Sequence, residues 1–145
     1  NDGMGRFIAD TCVKKMVEAG MAPKNAKVVI MGLTFKENCP DIRNSKVADI
    51  IKRLHEYGIT PVVTDEWADK NEAKREYNVE LTPLGEISDA DCIILAVAHK
   101  TYKEMKYETI EKIYGSNEKS RVFIDVKGVY DLDEMKKLNI NSWRL

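Results

Sequence analysis

The residues best suited to binding chemistry lie in one predicted loop, residues 32–45. Lys36 carries a point charge that can meet a phosphate or a sugar hydroxyl, and Phe35 beside it offers a flat face for a sugar or a base. A dinucleotide-binding turn at this place would have the three glycines of G-x-G-x-x-G, whereas this loop has only Gly32. The loop therefore favours recognition through side chains over NAD binding, with a purely structural loop as the open alternative.

The other side chains of this loop are typical of a rigid support. Asp41 and Arg43 could form an ion pair that fixes the shape of the loop, and Pro40 restricts its backbone. Asn44 or Ser45 could cap the helix that follows, because short polar side chains accept hydrogen bonds from first-turn amides. The start of that helix would also favour an anion.

Two further candidates stand at the ends of predicted strands. Asp65 has the position of the acid that binds ribose in an NAD-binding fold, a role that we discount because the glycines are missing. His99 follows the most apolar predicted strand. It either faces the cleft or has a hydrogen-bonded structural role, and the sequence does not decide between the two.

Charge and cysteine content argue against several classes of function. The 145 residues include 23 Lys and Arg against 24 Asp and Glu, and this net charge of −1 indicates neither a nucleic-acid-binding nor a membrane-binding surface. No apolar run reaches the ~18 residues of a membrane span. Three widely spaced cysteines, Cys12, Cys39 and Cys92, indicate reduced thiols of a cytoplasmic protein. Because neither histidine shares ligand-like spacing with a cysteine, we expect no metal.

Short apolar runs alternate with helical patterns along the chain. Strands are predicted over residues 27–31, 60–65, 91–97 and 121–126, with shorter candidates at 79–81 and 140–145. Helices are predicted over residues 7–19, 47–57 and 69–77, with a weak and broken helical stretch over 102–114. This alternation predicts a Rossmann-like, doubly wound α/β fold with a parallel sheet. Ligands of such sheets bind beyond the carboxyl ends of the strands, at the switch point.

At this loop the chain resembles a known family. Residues 32–45 read Gly-Leu-Thr-Phe-Lys-Glu-Asn-Cys-Pro-Asp-Ile-Arg-Asn-Ser, which closely resembles the G-x-x-F-K-x-x-x-x-D-x-R-x-S signature of UDP-glucose/GDP-mannose dehydrogenases. The Phe-Lys-Glu-Asn-Cys-Pro-Asp form is similar to the branch acting on UDP-N-acetylglucosamine and UDP-N-acetylgalactosamine. The resemblance covers most of the chain and includes residues 1–4, 96–99 and 125–128.

The resemblance implies a division of labour within a longer enzyme. Residues 26–145 would be the C-terminal UDP-sugar-binding domain, and residues 1–25 the end of a central-domain helix with its linker. Such enzymes oxidise the sugar C6 alcohol twice with two NAD, through a cysteine nucleophile of the central domain. We expect NAD to bind to the N-terminal domain. Because the chain opens without an initiator Met, we expect a fragment that binds the UDP-sugar but holds no catalytic residue, NAD site or metal.

The same resemblance assigns roles to individual residues. It places UDP-sugar contacts at Phe35, Lys36 and Lys127. The three other matched positions hold the loop and the helix start, namely Asp41, Arg43 and Ser45. Cys39 lies in a different motif from the family's nucleophile, which favours a structural position. The full-length enzyme is expected to be a cytoplasmic homodimer or larger assembly that supplies polysaccharide precursors.

Two other functions stay open at this point. One is a free-standing nucleotide-binding regulatory module with no enzyme attached, and the other is a true NAD-binding domain, which the single glycine makes the weaker alternative. The first helix raises a separate question. Cut away from a central domain it would expose apolar side chains, so we expect it either to fold back on the sheet or to self-associate.

Overall fold

The computed structural model describes residues 3–116 and 121–145. Within these ranges, five strands form one parallel sheet in the order β2-β1-β3-β4-β5. The strands are β1 Val28–Met31, β2 Val62–Thr64, β3 Cys92–Leu95, β4 Arg121–Asp125 and β5 Ile140–Arg144. The predicted Rossmann-like α/β fold is therefore confirmed. The candidate strand at 140–145 is a full edge strand.

Helices cover both faces of this sheet. They are α1 Gly3–Glu18, α2 Val47–Glu56, α3 Lys70–Tyr77, α4 Lys100–Lys103, α5 Tyr107–Tyr114 and α6 Leu132–Lys137. The weak helical stretch is broken as predicted, into α4 and α5. Helix α6 was not predicted, although Asp131 accepts hydrogen bonds from the amides of Asp133 and Glu134 in the manner of a helix N-cap.

Strand β1 has β2 on one side and β3 on the other, so the chain builds the sheet first to one side of β1 and then to the other. The carboxyl end of β1 is therefore the switch point of the sheet. Beyond β2, Leu81 forms a single parallel bridge with Val63. The candidate strand at 79–81 is reduced to this bridge. If Leu81 is counted as a rudimentary third strand, the order becomes the 3-2-1-4-5-6 of dinucleotide-binding folds.

The core lies in two layers, one on each face of the sheet. Residues of β1 and β3 are buried on both faces, as central parallel strands require. Val28 and Ile30 pack towards α1, α2 and α3, whereas Val29 and Met31 pack towards α4, α5 and α6. No helix in the described residues is long and apolar enough to cross a membrane.

Helix α1 packs on the sheet beside α2. Its buried face includes Ile8, Cys12 and Met16, which belong to the same core layer as β1 and β3. At the crossing with α2, a Cβ on Gly5 would lie 2.5 Å from Cβ of Asp49, so the helices approach as closely as glycine allows. Of the two expectations for this helix, folding back on the sheet is the one that the structure has.

Two buried thiols join α1 to the sheet. The Sγ atoms of Cys12 and Cys92 lie 3.4 Å apart, and both side chains are fully buried. Burial, together with the hydrogen bond to Cys12, raises the pKa of the Cys92 thiol well above its usual value. Because only an exposed thiolate reacts readily with thiol reagents, this pair should resist them in the folded protein.

We therefore expect one fast-reacting thiol in the native chain. Cys39, which is partly exposed, should react with a chromogenic disulfide reagent at least ~10-fold faster than Cys12 and Cys92. Absorbance at the released thiolate measures this, and the Cys39→Ser variant should lose the fast phase. Rapid reaction of all three thiols without denaturant would contradict the packing of α1.

Candidate functional site

A cavity of about 230 Å³ opens at the carboxyl edge of the sheet, beside the switch point. It is enclosed by the first turns of α1 and α2, the loop after β1, and the residues that follow β3 and β4. Its apolar lining consists mainly of Ile8, Val47, Ile50, Val97 and Val126. This is the position at which open parallel sheets bind ligands.

Cationic side chains surround this cavity. Lys36, Lys46 and Lys127 all line it and are exposed, and none of them forms an ion pair with any residue that the structure describes. Among the described residues that line the cavity, Glu37 is the single one with an acidic side chain. The exposed ring of Phe35 lies at the same opening. The arrangement suits an anionic ligand with an apolar part.

The three predicted contact residues therefore meet at one place. Phe35 and Lys36 come from the loop after β1, and Lys127 comes from the end of β4, about 90 residues further along the chain. The sheet brings them together because both loops leave its carboxyl edge. Lys46 was not among the predicted contact residues, although it is a basic residue that follows Ser45 directly at the predicted start of α2.

Asp65 organises the loop after β1 from the neighbouring strand. Its Oδ2 accepts hydrogen bonds from the amides of Leu33 at 2.6 Å and Thr34 at 3.1 Å. Its Oδ1 accepts the amides of Trp67 at 2.8 Å and Ala68 at 3.3 Å. Both carboxylate oxygens are thus engaged by the protein, so this side chain does not take the ribose-binding role of a dinucleotide fold.

The electrostatics of Asp65 follow from these contacts. Burial acts to raise the pKa of this carboxyl group, but hydrogen bonds from His99 and from the amides of Leu33 and Thr34 more than offset burial, and the pKa lies below its usual value. The carboxylate is therefore held ionised inside the protein. It fixes the path of the chain where the strand β1 ends.

His99 is fully buried and does not line the cavity. Its Nδ1 accepts the amide of Asn38 at 2.9 Å, so the ring proton is on Nε2, which lies 3.0 Å from Oδ2 of Asp65. The same Nε2 is 3.3 Å from Oγ1 of Thr34. The possible cleft position of His99 is thus not the one in the structure. Its contacts are those of the hydrogen-bonded alternative, linking β2, β3 and the loop.

Asp41 and Arg43 form a bidentate pair on the outer side of the loop. Arg43 donates from Nε to Oδ1 at 3.0 Å and from Nη2 to Oδ2 at 3.1 Å, and its backbone amide also donates to Oδ1. These side-chain and backbone hydrogen bonds lower the pKa of Asp41. The amide of Phe35 donates to the carbonyl of Asp41 at 2.7 Å, so this turn contacts the backbone of the predicted binding residue.

Ser45 connects both ends of the loop. Its hydroxyl donates to the carbonyl of Leu33 at 2.5 Å and accepts the amide of Val47 at 3.2 Å. The phenol of Tyr77, on α3, donates to the carbonyl of Ile42 at 2.5 Å. The loop after β1 is therefore held by side chains from several elements, although it has little regular structure of its own.

The start of α2 differs from the predicted anion site. The first-turn amides of Val47, Ala48 and Asp49 are already bonded to the hydroxyl of Ser45, the carbonyl of Ser45 and the carbonyl of Lys46. They have no donor left for a ligand. These three amides therefore do not form the predicted backbone anion site, because Ser45 closes the turn on itself.

A larger cavity of about 440 Å³ lies beyond the end of β2, between residues 81–84 and α4. Its charged lining consists of Lys70 with Asp65 and Glu66, so it lacks the cationic excess of the first cavity. In the part of the chain that the structure describes, no group of three His, Cys, Asp or Glu side chains is placed to hold a metal.

The strand order, the switch-point cavity and the loop rich in side chains define a Rossmann-like domain without the glycine-rich dinucleotide turn. The chain belongs to the UDP-glucose/GDP-mannose dehydrogenase family, since residues 29–132 match that family's UDP binding domain. The family predicted from the loop signature is thereby confirmed.

Similar proteins agree with this assignment. The chain is 45% identical over 138 residues to a UDP-N-acetyl-D-glucosamine 6-dehydrogenase of Pseudomonas aeruginosa, covering 94% of this chain and 31% of the relative. It is 40% identical over 147 residues to Protein CapL of Staphylococcus aureus, covering 100% of this chain and 33% of that protein. The chain therefore spans about a third of the length of the curated relatives it matches.

A solved structure shares the fold across almost the whole chain. The NDP-N-acetyl-D-galactosaminuronic acid dehydrogenase from Methanosarcina mazei Go1 superposes with a TM-score of 0.85 at 21% identity, covering 99% of this chain and 29% of that one. At this identity the likeness concerns the fold. It includes α1, because the covered part extends beyond the family match at residues 29–132.

Proposed function

We propose that this chain is the UDP-sugar-binding part of an NAD-dependent nucleotide-sugar 6-dehydrogenase that converts a UDP-N-acetylhexosamine to its uronate. The observation that carries the proposal is the convergence of Phe35, Lys36 and Lys127 on one switch-point cavity. The substrate class is supported by the relatives, which are named UDP-N-acetylglucosamine and UDP-N-acetylmannosamine dehydrogenases. The enzyme is a cytoplasmic homodimer or larger assembly that makes polysaccharide precursors.

The cavity suits the separate parts of such a ligand. The lysines would meet the diphosphate, because an ammonium group is a point charge that binds phosphate oxygens without a fixed direction. The exposed ring of Phe35 and the apolar lining would contact the base or the sugar. Asp41, Arg43 and Ser45 support the loop that carries the first lysine. The preformed loop would lower the cost of ordering side chains on binding.

NAD does not fit the switch point of this chain. The turn after β1 passes from Gly32 straight to Leu33 and Thr34, whose amides bind Asp65 instead of a pyrophosphate. Asp65 itself has no oxygen left for a ribose. We therefore assign NAD, the cysteine nucleophile and the oxidation to the rest of the longer enzyme, with residues 1–25 as the end of its central helix and linker, and residues 26–145 as the UDP-sugar domain.

Replacing Lys36 tests this function in the full-length enzyme. Lys36→Ala should lower kcat/KM for the UDP-N-acetylhexosamine by roughly 10- to 100-fold, because a charge-assisted contact to phosphate is lost, while KM for NAD stays the same. Steady-state kinetics with each substrate varied in turn measures this. Lys112→Ala is the matched control, since Lys112 is an exposed lysine on α5, away from the cavity.

Binding experiments separate the competing functions. Calorimetric titration of the full-length protein with UDP and UDP-N-acetylglucosamine should show binding that Lys36→Ala weakens. Kinetics of Lys36→Ala equal to those of Lys112→Ala would exclude the role given to Lys36. NAD binding by this chain alone, with no response of the longer protein to UDP, would overturn the proposed function itself.

A further inference from the structure

The cavity presents an anionic ligand with lysine side chains from more than one element. The start of α2 lines it through Lys46 and Val47, and the amides of Val47, Ala48 and Asp49 are bonded within the turn. These three amides are therefore not available to a ligand. The full positive charge that α2 brings to the cavity is that of the Lys46 side chain.

Lys46 is the one basic side chain on this turn. It is exposed, lines the cavity, and forms no ion pair within the described ranges, residues 3–116 and 121–145. Several other lysines of the chain do have carboxylate partners, such as Lys74 with Glu80 and Lys137 with Glu134. The ammonium group of Lys46 is thus available at the opening of the site.

We propose that Lys46 is a third phosphate-contacting cation, which acts with Lys36 and Lys127 on the diphosphate of the nucleotide. This inference rests on the proposed function. The three lysines come from three different parts of the chain, namely the loop after β1, the start of α2 and the segment that follows β4. With Glu37, the charged side chains of the lining sum to two positive charges, which matches the two negative charges of a sugar-linked diphosphate.

Lys46 also has acidic neighbours on its other side. It borders a surface depression that includes Asp49 and Glu76, and it forms an ion pair with neither of them. A role in balancing these two carboxylates is the competing explanation. That role would make Lys46 a contributor to the stability of α2 and not to the affinity for a nucleotide, and the two roles separate in a binding measurement.

The test uses calorimetric titration of the full-length enzyme with UDP and with uridine. Lys46→Ala should weaken UDP binding roughly tenfold and leave uridine binding unchanged, because only the phosphates are affected. Lys46→Arg should retain UDP affinity to within about threefold, since the charge is kept. Lys52→Ala removes an exposed lysine from the same helix, outside the cavity, and should change neither affinity.

The outcomes distinguish this inference from the function on which it rests. If Lys46→Ala and Lys52→Ala bind UDP equally well while Lys36→Ala is impaired, the role of Lys46 is overturned and the proposed function is not. Equal losses for UDP and uridine overturn it too, because they show a general disturbance of the site. No UDP binding by the unmodified enzyme overturns the proposed function.

Discussion

Gly32→Ala is expected to lower the free energy of unfolding by about 4 kcal/mol, combining an overpacked contact with an unfavourable backbone conformation. Gly32 has φ +104°, a conformation that residues with a Cβ rarely adopt. An added Cβ would lie 2.5 Å from Cβ and 2.8 Å from the backbone nitrogen of Val97. The strand end of β1 and the segment after β3 would have to separate, and both of them border the cavity.

Urea denaturation of the 145-residue chain measures this change through the transition midpoint. Gly85→Ala is the matched control, because a Cβ at Gly85 meets nothing within 4 Å and its φ is not positive. That variant should stay within about 0.5 kcal/mol of the parent. Equal stabilities of the two variants would show that β1 and the segment after β3 are not packed as closely as the structure has them.

Asp65→Asn is expected to destabilise the fold by about 3 kcal/mol, since a buried acceptor of several hydrogen bonds becomes partly a donor. The carboxylate accepts four backbone amides and the ring of His99. An asparagine amide nitrogen would face some of these N–H groups and leave them unpaired. Hydrogen exchange at the amides of Leu33 and Thr34 should accelerate together with the loss of stability.

Acid titration of stability gives this variant a second readout. The pKa of Asp65 is lowered in the fold, so its stabilising contribution is complete well above the ordinary carboxyl pKa of ~3.9 and is lost as the pH falls through the lower, folded pKa. The stability difference between the parent and Asp65→Asn should therefore shrink below about pH 4. Asp69→Asn is the control, because asparagine caps a helix such as α3 as well as aspartate does. A difference that stays constant down to the acid transition would contradict the buried carboxylate.

The strands were the most predictable part of the fold. Runs such as residues 92–97 are buried on both faces, and no amphipathic helix has that pattern, so β1, β3 and β4 were placed to within one or two residues. Helix α6 was missed because its six residues show too little periodicity, although Asp131 and Glu134 have the spacing of a capping pair. Residues 79–81 make only one bridge because Leu81 alone reaches β2.

The candidate site was also only partly predictable from the sequence. The loop signature is local, so Lys36 and Phe35 could be predicted from adjacent residues. The contact between Asp65 and His99 joins residues 34 positions apart and depends on how the ends of β2 and β3 are staggered, which no local pattern encodes. The occupied amides at the start of α2 were missed for a similar reason, because the hydroxyl of Ser45 turns inwards to Leu33.

Helix α1 forms one wall of the cavity through Met4, Gly5 and Ile8, while Lys36 and Lys127 stand on the side of the sheet. A nucleotide seated between them would touch both, so its binding energy would also hold α1 against the sheet. At a ligand concentration one hundred times Kd, this linkage adds about 2.7 kcal/mol to the docked state. By reciprocity, undocking of α1 would weaken the affinity for the nucleotide. Under the proposed function, the concentration of the sugar nucleotide would then set how tightly α1 is held against the sheet.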